Sequence, residues 1–310
     1  MARNKNNLVQ TLALALSVAV FGVSFDAFWH LSLGRESLFI LPHLFIYAGA
    51  LVAMSLALQG WLRFKTVEWK WVFGLLLAIP ASGVLDEIWH QVNGKELLTS
   101  PAIVWSPPHA LLFLSAMTVV MLAAFMVRNL DGYKPKNWLA PALLGMFLNL
   151  LVIFLGPLLP TGPHHLLGMT GAGVVSAAVI YVLILSRKLF KGDGNALIAA
   201  FTFILLQSVL YDSNYYISGD NFLHIPVWMN VLTYFVPALF IDSTDSLGGM
   251  TRGMFAGLAM GAVFFVLGGM MLPGNNLTYN DLWMGILSSA VGGLIAGLFH
   301  EYLEIRQQQE

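Results

Sequence analysis

Two sets of ionisable residues repeat sixty positions apart. Asp26 and His30 stand four apart, as do Asp86 and His90, and each pair is followed by a Pro-His step, Pro42-His43 in the first set and Pro108-His109 in the second. On a helix, residues four apart share a face at about 5–6 Å. Proline suits the first turn of a helix, so each Pro-His puts a further imidazole at the start of the next, antiparallel helix, at the depth where the preceding one ends. One carboxylate and two imidazoles then converge. The first candidate metal site is Asp26, His30 and His43, and the second is Asp86, His90 and His109. Such ligand sets suit copper, iron or zinc, and spacing does not separate the three. An Asp inside a membrane helix costs about 2.5–3.5 kcal/mol when unpaired. A metal ion compensates it, and so does a plain Asp–His hydrogen bond.

The repeat is wider than its ionisable residues. Asp26-Ala27-Phe28-Trp29-His30 leads to Gly34-Arg35-Glu36, and Asp86-Glu87-Ile88-Trp89-His90 leads to Gly94-Lys95-Glu96 at the same offsets. A helical hairpin has been duplicated, with a connection to the second Pro-His that is six residues longer than the first. Trp29 and Trp89 read as interfacial anchors, and the loop charges Arg35, Glu36, Lys95 and Glu96 as solvated. Later segments carry weaker echoes. Pro163-His164-His165 opens a span as Pro42-His43 does, Asp212 and Tyr216 repeat the four-residue step with Tyr for His, and His224 follows. Together with Glu87, His164, His165, Asp212, Tyr216 and His224 are candidates for supporting or substrate-facing roles, against the plainer reading of interhelical hydrogen bonding. His300 and Glu301 read as a helix-end pair without chemistry.

The elements that must position these residues follow from hydropathy. Of 310 residues 58% are apolar and 10% charged, with a mean hydropathy of +0.75; a water-soluble chain carries about 25% charged residues. The expectation is an all-α polytopic membrane protein, 1–310 being a single membrane domain. Apolar stretches near 8–32, 38–59, 71–92, 103–127, 139–158, 165–186, 196–217, 224–242, 251–271 and 282–303 make ten expected spans in a bilayer about 30 Å thick. The first motif hairpin is 8–59, the second 71–127, and six further spans occupy 139–310. Thirteen of the fifteen basic residues fall in alternate loops and at the ends, leaving Arg35 and Lys95 opposite. By the positive-inside rule both termini are then cytoplasmic and the clusters lie near the outer face, in a bacterial or archaeal cell membrane. The first apolar run continues into Asp26 and His30 and reads as an uncleaved helix. Gly253, Gly257 and Gly261, with Gly293 and Gly297, read as close helix packing. Asn276-Leu277-Thr278 is a glycosylation sequon that matters only in a eukaryote. A net charge of −1 without a basic stripe excludes nucleic acid as a partner, and the lack of Cys excludes thiolate ligands, Fe–S clusters and disulfides. Three of the five acids in or at the ends of spans, Asp26, Asp86, Glu87, Asp212 and Asp242, belong to the duplicated motif.

At this motif the sequence resembles the C subunit of the copper membrane monooxygenases, the particulate methane and ammonia monooxygenase family. Asp26, Trp29 and His30, then twelve residues and His43, follow that subunit's metal-site spacing without a gap. Asp86, His90 and His109 look like the counterpart of its next hairpin, where Asp replaces the family's Asn and the last interval is longer. The resemblance covers about residues 10–130. It implies copper, oxidation of a small or hydrophobic substrate with O2, and further membrane subunits.

Three functions compete. A copper-dependent membrane oxidoreductase, or the metal-binding subunit of one, is the leading expectation. A metal-ion or proton transporter fits the duplication, but no polar chain crosses toward the cytoplasmic side. A zinc-dependent membrane hydrolase ranks third, because Glu87 is the one extra base in the motif and it lies on a different helix face from Asp86.

Overall fold

The structure, a computed structural model, describes residues 2–32, 39–94, 102–130, 138–158, 168–190, 193–218, 227–244, 246–267 and 278–309. Among the described residues every regular element is helical, as lipid demands of a chain that must satisfy each N–H and C=O within its own segment. The α-helices are α1 (Ala2–Ser32), α2 (Leu41–Phe64), α3 (Val67–Asn93), α4 (Ala102–Trp105), α5 (Pro107–Arg128), α6 (Leu139–Leu155), α7 (Gly171–Leu189), α8 (Asn195–Ser218), α9 (Val227–Ser243), α10 (Gly249–Ala262) and α11 (Tyr279–Gln309). Eight are long and apolar enough to cross a membrane: α1, α2, α3, α5, α6 with its 3-10 extension, α7, α10 with the π turn that follows it, and α11.

Of the segments expected to span near 196–217 and 224–242, the first and the described part of the second are helical but fall outside that set, which covers the described residues alone. The apolar described run of α8 is Asn195–Val209, and α9 has 17 residues with Pro237 inside it. At the other end of the chain α1 begins well before its apolar run. The polar lead Arg3-Asn4-Lys5-Asn6-Asn7 stops the hydropathy signal without stopping the helix.

Helix packing divides the chain into two compact units, Met1–Phe154 with Asp212–Asp220, and Leu155–Tyr211 with Asn221–Glu310. In the first unit α1 packs on α2, α2 on α3, α3 on α5, and α5 back on α1, closing a ring of four helices. Glycines let α1 and α2 approach closely. A Cβ on Gly22 would overlap the side chain and backbone of Ile46, and one on Gly49 would overlap the α1 backbone at Ala15 and Ala19. The α2–α3 corner turns at Lys65, in the left-handed region at φ 54°, and Gly60 makes room for the ring of buried Trp69. Pro80 lies inside α3 and removes one ladder hydrogen bond. The α6 helix joins the ring through Asn149, whose amide donates to Ser24 Oγ on α1, both residues wholly buried.

In the second unit α10 packs on α11, α11 on α7, and α9 on α10 and α7. The expected glycine packing is present. A Cβ on Gly253 would overlap the Gly293 carbonyl, one on Gly257 would lie 3.0 Å from Gly293 Cα, and one on Gly297 would overlap the Gly249 carbonyl. Past Ala262 the helix widens into one π turn, Val263–Leu267, and Phe265 fills the space that a side chain at Gly285 would take. Two charges are buried for structural reasons. Arg252 donates to the carbonyls of Thr244 and Leu247 between α9 and α10, and Asp242 accepts the backbone N–H groups of Ala196 and Leu197 at the start of α8.

Candidate functional site

The carboxylate–imidazole groups of both hairpins form in the first unit. Asp26 sits on the last turns of α1, and His43 on the first turn of α2 behind Pro42, where the missing proline N–H costs no helix bond. The pairs Ala19–Gly49 and Gly22–Ile46 set the antiparallel register of these two helices. One turn further along each helix the same register brings Asp26 to His43. His43 Nε2 lies 2.9 Å from Asp26 Oδ1, with both side chains 11% exposed. Screening by water is weak at such a pair. His30 follows Asp26 by one turn on α1, and its side chain lies outside the described residues.

In the second hairpin one carboxylate meets two imidazoles. Asp86 Oδ1 lies 3.3 Å from His90 Nε2, one turn on along α3, and 3.4 Å from His109 Nε2, on the first turn of α5. The two imidazole rings are 6.5 Å apart between centroids. Each ring is also held on its far side: His90 Nδ1 is 3.2 Å from the Gly94 carbonyl, and His109 Nδ1 is 2.9 Å from Ser106 Oγ. The longer connection between His90 and Pro108 contains the short helix α4, which is fastened by the Trp105 indole donating to the Phe154 carbonyl at 2.8 Å.

Two nitrogens and an oxygen bound to one ion at about 2.0–2.1 Å stand roughly 3.3–3.4 Å apart when tetrahedral, which is the separation of the Asp86 oxygen from each of its imidazoles. Among the described residues, however, no group of three or more His, Asp or Glu is placed so that it could hold an ion as it stands. The donor chemistry fits a first-row transition metal. The arrangement present is a carboxylate flanked by imidazoles.

The remaining candidates disperse. Glu87 accepts from Gln91 Nε2 at 3.3 Å, away from Asp86. Asp212 and Tyr216 lie on the end of α8 that belongs to the first unit, their side chains outside the described residues, and His164, His165 and His224 lie wholly outside them, as do Arg35, Glu36, Lys95 and Glu96. Trp29 packs edge-on against Phe25 at 5.7 Å, and its buried indole N–H meets no acceptor among the described residues. His300 pairs with Glu304 at 3.2 Å, while Glu301 accepts the Met250 N–H, so the expected His300–Glu301 pair is replaced by the partners one helical turn apart.

Four residues at or beside the clusters carry no signal as ligands. Tyr47 places its ring 5.9 Å from that of His43 and its hydroxyl 3.8 Å from where a Cβ on Gly83 would stand, one turn before Asp86. Asn149 is legible as an amide in an apolar run, and Ser106 as the residue before a Pro-Pro-His step. Gly94 is legible only as a repeated offset.

No family profile, no curated protein and no solved structure matches the chain.

Proposed function

We propose that this multi-pass membrane protein binds a transition-metal ion, copper in the first instance, and works as an oxidoreductase or as the metal-binding subunit of one. The observation that supports this best is Asp86 Oδ1 flanked by the Nε2 atoms of His90 and His109, with the Asp26–His43 pair repeating the theme. Simple charge compensation needs one imidazole per carboxylate. Two imidazoles brought from two helices to one oxygen make a two-His, one-carboxylate donor set. The resemblance of the motif to the C subunit of the copper membrane monooxygenases favours copper over iron or zinc, and the distribution of bases favours the outer face.

Asp86, His90 and His109 would hold the ion in the second hairpin, and Asp26 with His43 and His30 in the first. Bound copper supplies one-electron exchange and activation of O2. The chain's own contribution is to fix the imidazoles, to keep bulk water from the carboxylates, and to offer apolar helix faces along which a small or hydrophobic substrate can approach. Further membrane subunits belong to the same proposal.

Metal analysis of detergent-purified protein tests it. Stoichiometric copper is expected in the wild type, with loss in His90→Ala/His109→Ala and further loss when Asp26→Ala/His43→Ala is added. Copper that is absent, or that survives all four substitutions, refutes the reading.

A further inference from the structure

The outer edge of each imidazole in the second hairpin is gripped as firmly as its inner edge. We infer that Gly94 and Ser106 are positioning residues that turn the His90 and His109 rings so that each Nε2 faces Asp86. The inference rests on the proposed metal role only for its purpose, since the geometry stands without it.

For His90 the hydrogen-bond chemistry is one-sided. A backbone carbonyl accepts and never donates, so the 3.2 Å contact between Gly94 O and Nδ1 requires the ring proton on Nδ1. With Nδ1 so engaged, the ring turns its Nε2 toward Asp86 Oδ1 at 3.3 Å. A ring that donates one N–H to a carbonyl and offers the other nitrogen is the usual arrangement of a metal-binding histidine.

Gly94 is the residue that makes this carbonyl available. Its backbone lies at φ 78° and ψ −179°, a region essentially confined to glycine. Its N–H returns to the His90 carbonyl at 3.0 Å while its own carbonyl takes the His90 ring, so one residue clamps both the backbone and the side chain of His90. Among the described residues a Cβ at Gly94 would touch nothing within 4 Å, so an alanine there acts through backbone conformation.

Ser106 is released for the same task by its neighbours. It stands at the N-cap of α5, where a serine hydroxyl ordinarily accepts from the N–H of the second or third residue. Pro108, the second residue, has no N–H, which leaves only the His109 N–H of these two donors, and the hydroxyl makes no cap bond. It turns to His109 Nδ1 at 2.9 Å instead, and Ser106 is itself 2% exposed. The hydroxyl thereby fixes the rotation of the His109 ring toward Asp86.

Nitrogen-15 NMR of histidine-labelled, metal-stripped protein in detergent reads the first claim directly. The His90 signal, assigned by its loss in His90→Ala, is expected as the Nδ1–H form in the wild type and as the Nε2–H form or a mixture in Gly94→Ala. A wild-type His90 without a proton on Nδ1, or a Gly94→Ala protein whose Nδ1 proton is held as in the wild type, overturns the inference. Copper(II) titration adds the second readout. Gly94→Ala and Ser106→Ala are each expected to weaken binding by about 10–100-fold, while Ser106→Thr, which keeps the hydroxyl, stays close to wild type, as does the exposed control Gly74→Ala. Equal affinity in all four overturns the inference while leaving the metal reading intact. The expected tautomers in a wild type that takes up no copper support the positioning roles and end the metal reading.

Discussion

Replacing Gly49 by Ala adds one methyl group where two helix backbones nearly touch, and its effect can be worked out beforehand. The new Cβ would stand 2.8 Å from the Ala15 carbonyl oxygen and 2.9 Å from Ala19 Cα. Carbon contacts settle at about 3.5–4.0 Å, so α1 and α2 must part by about 1 Å, and backbone atoms cannot rotate away as a side chain would. Overpacking of this kind costs about 1–3 kcal/mol. The same substitution at Gly74 meets nothing within 4 Å and changes only helix propensity, a gain of about 0.5–1 kcal/mol. The two substitutions are chemically identical and should move in opposite directions, by a combined difference of about 1.5–4 kcal/mol. Reversible unfolding in mixed micelles, followed by tryptophan fluorescence, measures the difference without reference to any metal. A Gly49→Ala protein that unfolds together with Gly74→Ala, or later, refutes the claim that glycine contact sets the α1–α2 register.

Other substitutions have calculable outcomes. Asn149→Leu removes the buried bond to Ser24 and should cost about 0.6–1.7 kcal/mol, the range for interhelical hydrogen bonds in membranes; adding Ser24→Ala should cost little more, which a double-mutant cycle in the same assay checks. Arg252→Met strips Thr244 and Leu247 of a charged donor, and a midpoint shift equivalent to about 1.5–3 kcal/mol is expected. Asp242→Ala leaves the first turn of α8 uncapped and should cost about 0.5–2 kcal/mol, with faster hydrogen exchange at the Ala196 and Leu197 amides and little change at Leu143 or Leu144.

Much of the site is legible because it depends on short-range geometry. The Asp–His step and the Pro-His start specify where a carboxylate and an imidazole stand on a hairpin, and His43 and His109 duly reach Asp26 and Asp86. The longer second connection weakens that expectation on paper, yet α4 takes up extra length as a helical turn. Other features depend on what faces what across helices, which periodicity does not report. Gly22 and Gly49 sit in sequence without the regular spacing of the α10 and α11 glycines, so the closest approach in the first unit goes unmarked. The division into two units has no linker to announce it, since apolar composition runs through the boundary near Leu155. His300 meets Glu304 rather than its neighbour Glu301 because a helix faces its residues four apart.

The close seam of α1 and α2 also bears on the order of events during biogenesis. Asp26 and His43 belong to different helices, and neither has the other until the hairpin closes. A lone Asp on a newly inserted helix carries a penalty of about 2.5–3.5 kcal/mol, relieved when Gly22 and Gly49 bring α2 alongside in the right register. A hairpin closed one turn out of step would lose the glycine contacts and strand the carboxylate. The polar pair thus reinforces the register that the glycine contacts set, since only there does the carboxylate gain its imidazole.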